Sequence, residues 1–153
     1  MISILVQHGK NISKEENPDK PLSVKGREQI QNLVNFLTVI KWYPERIIHS
    51  GKLRAAETAE ILGKGTGCTR IEVEEYLNPK DEPDRLVNEL IKTDDNILVV
   101  GHMPFLDEFV KKITMSTEND IIDITHGSPL MIAKKDNRLI VDTYIQNRYL
   151  GGG

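Results

Sequence analysis

The run Ile97-Leu98-Val99-Val100 constrains this chain more than any other feature. Four consecutive apolar side chains between Asn96 and Gly101 read as a strand buried on both faces. Such strands belong to parallel sheets whose two faces are covered by helices. Ile2 to Val6, interrupted only by Ser3, has the same character. Between and after these runs the period changes. Ile30, Leu33, Val34 and Leu37 fall at i, i+3, i+4 and i+7, one apolar stripe on a polar helix. Leu86, Val87, Leu90 and Ile91 mark a second such helix, and Leu106, Phe109, Val110 and Ile113 a third. Strands alternating with helices predict an α/β fold, a three-layer α/β/α sandwich around a mostly parallel central sheet.

The remaining segments fit that plan. Arg46 to Ser50, delivered by Pro44, reads as a second strand. Leu53 to Leu62 reads as a helix with an Ala-rich face, ended by Gly63, Gly65 and Gly67. Ile71 to Val73 is a weak third strand, and Pro129 to Ala133 with Leu139 to Tyr144 predict a closing β-hairpin. Asn11 to Lys20, with Pro18, must be a loop, as must the stretch holding Pro79 and Pro83. Pro104 suits a helix start, where its missing N–H was unpaired anyway. The 153 residues predict one domain over 1–150, with Gly151-Gly152-Gly153 as a flexible tail.

Composition removes several function classes. A formal net charge of -3 gives no reason to expect a nucleic-acid partner or an anionic membrane surface. No apolar stretch approaches the roughly 20 residues of a membrane span. Met1 to Val6 is too short for the apolar part of a signal peptide. Cys68 is the only cysteine, so neither an intrachain disulfide nor a cysteine-based zinc site is expected. A reduced, cytoplasmic setting fits.

Chemistry concentrates in three polar segments placed just beyond strands: Gln7-His8-Gly9-Lys10, Ser50 to Thr58, and Gly101-His102-Met103-Pro104. In open α/β sheets, ligands bind in the crevice beyond the carboxyl ends of strands. His8 and His102 each follow a buried strand, Arg54 lies about one turn into a helix, and Gly9 lets the backbone turn tightly after His8. Helix N-termini add free N–H groups and a positive dipole end, which favour phosphate. Two imidazoles, a guanidinium and oriented N–H groups make a dianion pocket. A neutral imidazole can attack phosphorus, and the other groups can hold the equatorial oxygens. The implied reaction is phosphoryl transfer through a phosphohistidine on the enzyme, needing no metal and no cofactor; two histidines without a supporting carboxylate pattern argue only weakly for a metal site.

In this order the segments resemble the marks of the histidine phosphatase superfamily, the phosphoglycerate mutase-like group. That family carries Arg-His-Gly after the first strand, Arg-Ala-x-x-Thr after the second, and Gly-His or Ser-His after the fourth. Here they stand as Gln7-His8-Gly9, Arg54-Ala55-Ala56-Glu57-Thr58 and Gly101-His102. Pro21-Leu22-Ser23-Val24-Lys25-Gly26 resembles the family's Leu-Thr/Ser-x-x-Gly segment. The small size, with no large helical insertion, is similar to the SixA-type phosphohistidine phosphatases. The resemblance spans Ile2 to about Tyr144. It implies a phosphoglycerate mutase-like fold, His8 as nucleophile, and Arg54 and His102 as phosphate ligands, with Gln7 and Gly9 in the binding set. The implied partner is a protein carrying phosphohistidine, or a small phosphorylated substrate.

Two departures stand out. Gln7 occupies the family's Arg position, and an amide lacks the charge and bidentate fork of a guanidinium. Lys10 is a candidate to return part of that charge, against the simpler reading of a solvated loop lysine. The family's acidic residue after the third strand has only Asp81 and Glu82 as counterparts by proximity, and a solvated acidic loop is the simpler reading for both. A phosphoramidate leaving group needs little acid help, so this departure points toward phosphohistidine. His126 and Ser128, before the closing hairpin, could touch substrate or form a plain turn. His49 is expected to be structural, Thr58 to support the helix holding Arg54, and Lys52, Lys111 and Lys112 to be solvated. Alternative functions are a small-molecule phosphomonoesterase and a pseudo-phosphatase that binds a phosphorylated partner without turnover.

Overall fold

A computed structural model describes residues 1–151 of the chain; of the expected glycine tail, Gly152 and Gly153 lie outside the described residues. The elements run β1 (Ile2–Gln7), α1 (Val24–Val39), β2 (Arg46–His49), α2 (Leu53–Thr66), β3 (Ile71–Val73), α3 (Asp84–Lys92), β4 (Ile97–Gly101), α4 (Phe105–Thr114), β5 (Leu130–Lys135) and β6 (Arg138–Tyr144), and a short 3-10 turn spans Asn147–Tyr149. Six strands form one sheet in the order β3-β2-β4-β1-β5-β6. β1, β2, β3 and β4 pair in parallel, while β5 joins β1 and β6 antiparallel.

The apolar runs are buried on both faces, as their composition requires. Ile4 and Val6 of β1 and Leu98 and Val100 of β4 pack on α1 and α2, together with Ile30, Leu33, Val34 and Leu37. Leu5, Ile97 and Val99 point the other way, onto α3 and α4 through Leu86, Leu90, Phe105 and Phe109. The helices after the neighbouring strands β1 and β4 therefore leave toward opposite faces of the sheet. That divergence opens a crevice at the carboxyl ends of the two strands.

α2 is longer than expected. It passes through Gly63 and Gly65 and ends at Gly67, whose φ of 82° is left-handed. The two internal glycines are packing residues: a Cβ on Gly63 would lie 2.6 Å from Ile71 Cδ1, and one on Gly65 would lie 2.4 Å from Val34 Cγ1. Only the third glycine stops the helix. The closing hairpin turns through Asp136 and Asn137, both at positive φ (52° and 62°), the backbone of a two-residue turn matched to strand twist. Among the described residues, no helix is long and apolar enough to cross a membrane.

Candidate active site

The loop after β1 lies directly on the first turn of α1. Ser23 caps that helix by accepting from Gly26 N–H at 3.0 Å, and its hydroxyl donates to Lys10 C=O at 2.8 Å. A Cβ on Gly26 would stand 2.0 Å from Lys10 O, and one on Gly9 would stand 2.7 Å from Gly26 O. Gly9 is not at positive φ. It is required for this backbone-to-backbone approach rather than for a tight turn, which corrects the sequence expectation. We predict that Gly26→Ala costs about 2–3 kcal/mol by overpacking, read in thermal unfolding as a Tm lowered by about 4–10 °C.

The Arg54-Ala55-Ala56-Glu57-Thr58 segment makes sense as one face of α2. Positions i, i+3 and i+4 share a helix face, and all three bind the opposing loops. Arg54 Nε donates to His8 Nε2 at 3.3 Å, Thr58 Oγ1 accepts from Gly9 N–H at 3.1 Å, and Glu57 Oε1 accepts from Leu22 N–H at 2.8 Å. The other Glu57 oxygen pairs with Arg27 at 2.6 Å. Thr58 thus does more than support its own helix: it anchors the loop that carries His8.

Hydrogen bonds set the histidine tautomers. His8 Nδ1 faces Gly9 C=O at 2.7 Å. A carbonyl only accepts, so Nδ1 carries the proton and Nε2 is left with its lone pair, directed at the Arg54 guanidinium. His102, beyond β4, has Nε2 2.6 Å from Ser50 Oγ, and its buried Nδ1 has no partner among the described residues. The rings of His8 and His102 stand 5.0 Å apart. His126 stands on the other side of His8 at 5.2 Å, with Nδ1 donating to His8 C=O at 2.8 Å. Three imidazoles thus meet at the crevice, with His8 in the middle.

Burial keeps these rings neutral. His8 is lowered to about 4, chiefly by desolvation and further by His126, Arg54 and Lys20, against the pull of its Gly9 bond. His102 is lowered to about 3, again first by burial, then by His8, Arg54, Lys52 and Lys20. His8 is therefore a neutral free base across the neutral range. The charges that lower the two rings, after burial and the neighbouring imidazoles, are cationic: Arg54 and Lys20 act on both, and Lys52 on His102.

The expected residues divide clearly. His8, Gly9, Arg54 and His102 converge, and Gln7 ends β1 half-buried beside them. Lys10 is exposed, and its charge bears on His126, whereas Lys20 acts on both His8 and His102. Lys52, expected to be plain surface, also acts on His102. Asp81 spends its carboxylate on Asn78 N–H at 2.8 Å, capping a turn. Glu82 lines a groove between α3 and α4 with Lys111 and Lys112, not with the histidines. Ser128 is fully buried, bonded to Thr125 Oγ1 at 2.6 Å and Asn147 N–H at 2.8 Å. His49 accepts from Gly51 N–H at 3.0 Å within its own turn, a structural role.

Sequence reasoning missed Ser50, Lys20 and Asn147. Asn147 clamps the His126 segment through bonds to Gly127 C=O at 2.7 Å and Gln29 C=O at 2.8 Å. Ser50 sat in a quoted segment, at the end of a strand that aims at the crevice, and that position was the available signal. Lys20 and Asn147 carry no local pattern.

Comparison with known proteins agrees with this geometry. A sequence model described as "Histidine phosphatase superfamily (branch 1)" matches residues 3–81, just over half of the chain. An uncharacterized protein of Picosynechococcus sp. is 27% identical over 140 residues, covering 84% of this chain and 85% of its own. The fold is shared with the protein histidine phosphatase SixA in complex with tungstate, at a TM-score of 0.87 and 19% identity over 99% of this chain and 100% of that one. It is also shared with phosphoserine phosphatase from Entamoeba histolytica bound to 3-phosphoglyceric acid, at a TM-score of 0.76 and 13% identity over 97% and 98%. With His8, Arg54 and His102 at the ends of the strands and helix where the motifs require them, the chain belongs to the histidine phosphatase superfamily, branch 1.

Proposed function

We propose that this protein is a phosphatase that hydrolyses phosphohistidine on proteins through a phosphoryl intermediate on His8. The observation that carries the reading is the His8 tautomer: Nδ1 is tied to Gly9 C=O, and the bare Nε2 faces Arg54. Nε2 attacks phosphorus, the P–N bond of the substrate breaks, and Arg54 holds the transferring oxygens, joined by His102 once its Nε2 exchanges Ser50 for a phosphate oxygen. Water then releases phosphate. Gln7 and the Gly9 loop complete the binding set, and Lys20 and Lys52 contribute positive potential. Asp81 caps the Asn78 turn and Glu82 lines the groove between α3 and α4, an arrangement that suits a phosphoramidate, whose leaving nitrogen needs less acid help than an alkoxide. The SixA likeness supports the same substrate. A single domain over 1–150 working in the cytoplasm agrees with one buried, unpaired cysteine, Cys68.

The test is rapid quenching of the protein with a phosphohistidine-containing phosphotransfer domain, followed by mass analysis. Phosphate released, with a transient adduct on His8, supports the reading. Aryl or sugar phosphates turned over as fast as phosphohistidine would instead favour a small-molecule phosphomonoesterase. The fold likeness to the E. histolytica phosphoserine phosphatase keeps that reading in view.

Gln7 favours a second reading, a pseudo-phosphatase that binds a phosphorylated partner. Gln7→Arg separates the two. Adding one charge-assisted phosphate contact is expected to raise the kcat/KM of a working enzyme about ten-fold. A binding module would tighten on its partner and still release nothing.

A further inference from the structure

We propose that His126 is the general base of the second half-reaction, taking a proton from the water that attacks phospho-His8. This rests on the function proposed above and assigns the proton transfer that the pocket otherwise leaves without a carrier. Neither acidic candidate is turned toward the histidines: Asp81 caps the Asn78 turn, and Glu82 faces Lys111 and Lys112. His102 is held at Nε2 by Ser50, and its Nδ1 is buried.

His126 has the required form and place. Its Nδ1 donates to His8 C=O at 2.8 Å, so the neutral ring keeps a lone pair on Nε2. Its centroid lies 5.2 Å from that of His8, with the rings tilted by 50°. That places the ring beside the nucleophile, and in the proposed step the attacking water meets its Nε2 there. The segment is fixed: Gln7 and His126 form a parallel β-bridge, Gly127 N–H donates to Gln7 C=O at 2.8 Å, and Asn147 holds Gly127 from behind. Burial lowers the His126 pKa below its ordinary value, and Lys10 lowers it further, against the bond to His8. The titratable and charged groups facing it are His8 and Lys10, with Arg54 and Lys20 acting on His8 behind.

In the step, the water oxygen bonds to phosphorus as the P–Nε2 bond breaks and its electron pair returns to His8. The water proton passes to His126 Nε2, and the imidazolium then gives it up to solvent. No other reactant is needed.

The test is His126→Asn, because an Asn amide can keep the bond to His8 C=O but cannot accept the proton. With phosphoramidate as the phosphoryl donor, rapid quenching should show the adduct on His8 forming as in the wild type. Its decay should be about a hundred-fold slower, so the adduct accumulates. The wild-type decay should fall as pH drops through the lowered His126 pKa, and the variant should lose that dependence. Decay at the wild-type rate would sink the inference while leaving the His8 mechanism intact. If the wild type forms no adduct on His8, the proposed function falls, and this inference with it. Should the Asn variant not fold by circular dichroism, His126→Gln is read against the same outcomes.

Discussion

Replacing His8 with Ala is expected to lower phosphate release from a phosphohistidine protein by on the order of 10⁴-fold or more, the scale seen when a covalent nucleophile is removed. The reason is that no neighbour can take over. His102 has Nε2 engaged by Ser50 at 2.6 Å and Nδ1 buried. His126 is tied through Nδ1 to the C=O of residue 8, which fixes its ring beside the His8 position rather than in it. The loop itself should survive, since it is held by Gly9 N–H on Thr58 and by Lys10 C=O on Ser23. The variant should therefore fold and still bind phosphate. Steady-state release and trapping by mass check both halves of the statement. An adduct on any other residue, or release within ten-fold of wild type, would overturn the assignment. The wild type should also keep its phosphorylation step down to low pH, because the His8 ring is lowered to about 4. Protonation blocks attack only as pH falls toward that value.

Arg54→Ala should be the next most damaging change, reducing kcat/KM by about 10²–10³-fold, the usual cost of removing one preorganised donor to developing charge. Arg54 acts twice, as the donor opposite the His8 lone pair and as the pocket's guanidinium. Arg54→Lys returns the charge without the planar fork, and should recover only about ten-fold of the loss. Measuring inorganic phosphate as an inhibitor separates binding from chemistry. If phosphate affinity weakens in parallel with kcat/KM, Arg54 serves ground state and transition state alike. If it hardly moves, the guanidinium acts mainly on the transferring group. Unchanged kcat/KM in both variants would remove Arg54 from the site.

The fold was legible where side-chain period was strong. Ile97 to Val100 and the stripe from Ile30 to Leu37 are buried throughout, because a continuous or 3.6-residue apolar pattern has few ways to leave water. The end of α2 was misread because glycine is ambiguous in sequence. Gly63 and Gly65 yield to Ile71 and Val34, contacts made by distant residues, whereas Gly67 turns the backbone. In the site, His8, Arg54 and His102 follow strands and could be placed by that rule. The placement of His126 and Lys20 depends on loops whose packing has no period. His126 reaches the crevice through a single bridge to Gln7, and Lys20 through a loop pinned by Glu57 and Ser23. Such one-residue, long-range contacts leave no local trace in a sequence.

The neutral state of the buried imidazoles has a consequence for ligand choice. The positive potential at the crevice comes from guanidinium and ammonium groups rather than from imidazolium, since His8 and His102 are lowered to about 4 and about 3. Between mild acid and neutrality His8 and His102 therefore add no charge of their own, while a phosphate guest changes its charge. A phosphate ester loses its second proton near about pH 6. Affinity for such a guest should follow that ionisation, rising as monoanion becomes dianion. On the proposed function, His8 and His102 would read the charge of a phosphate guest without changing their own.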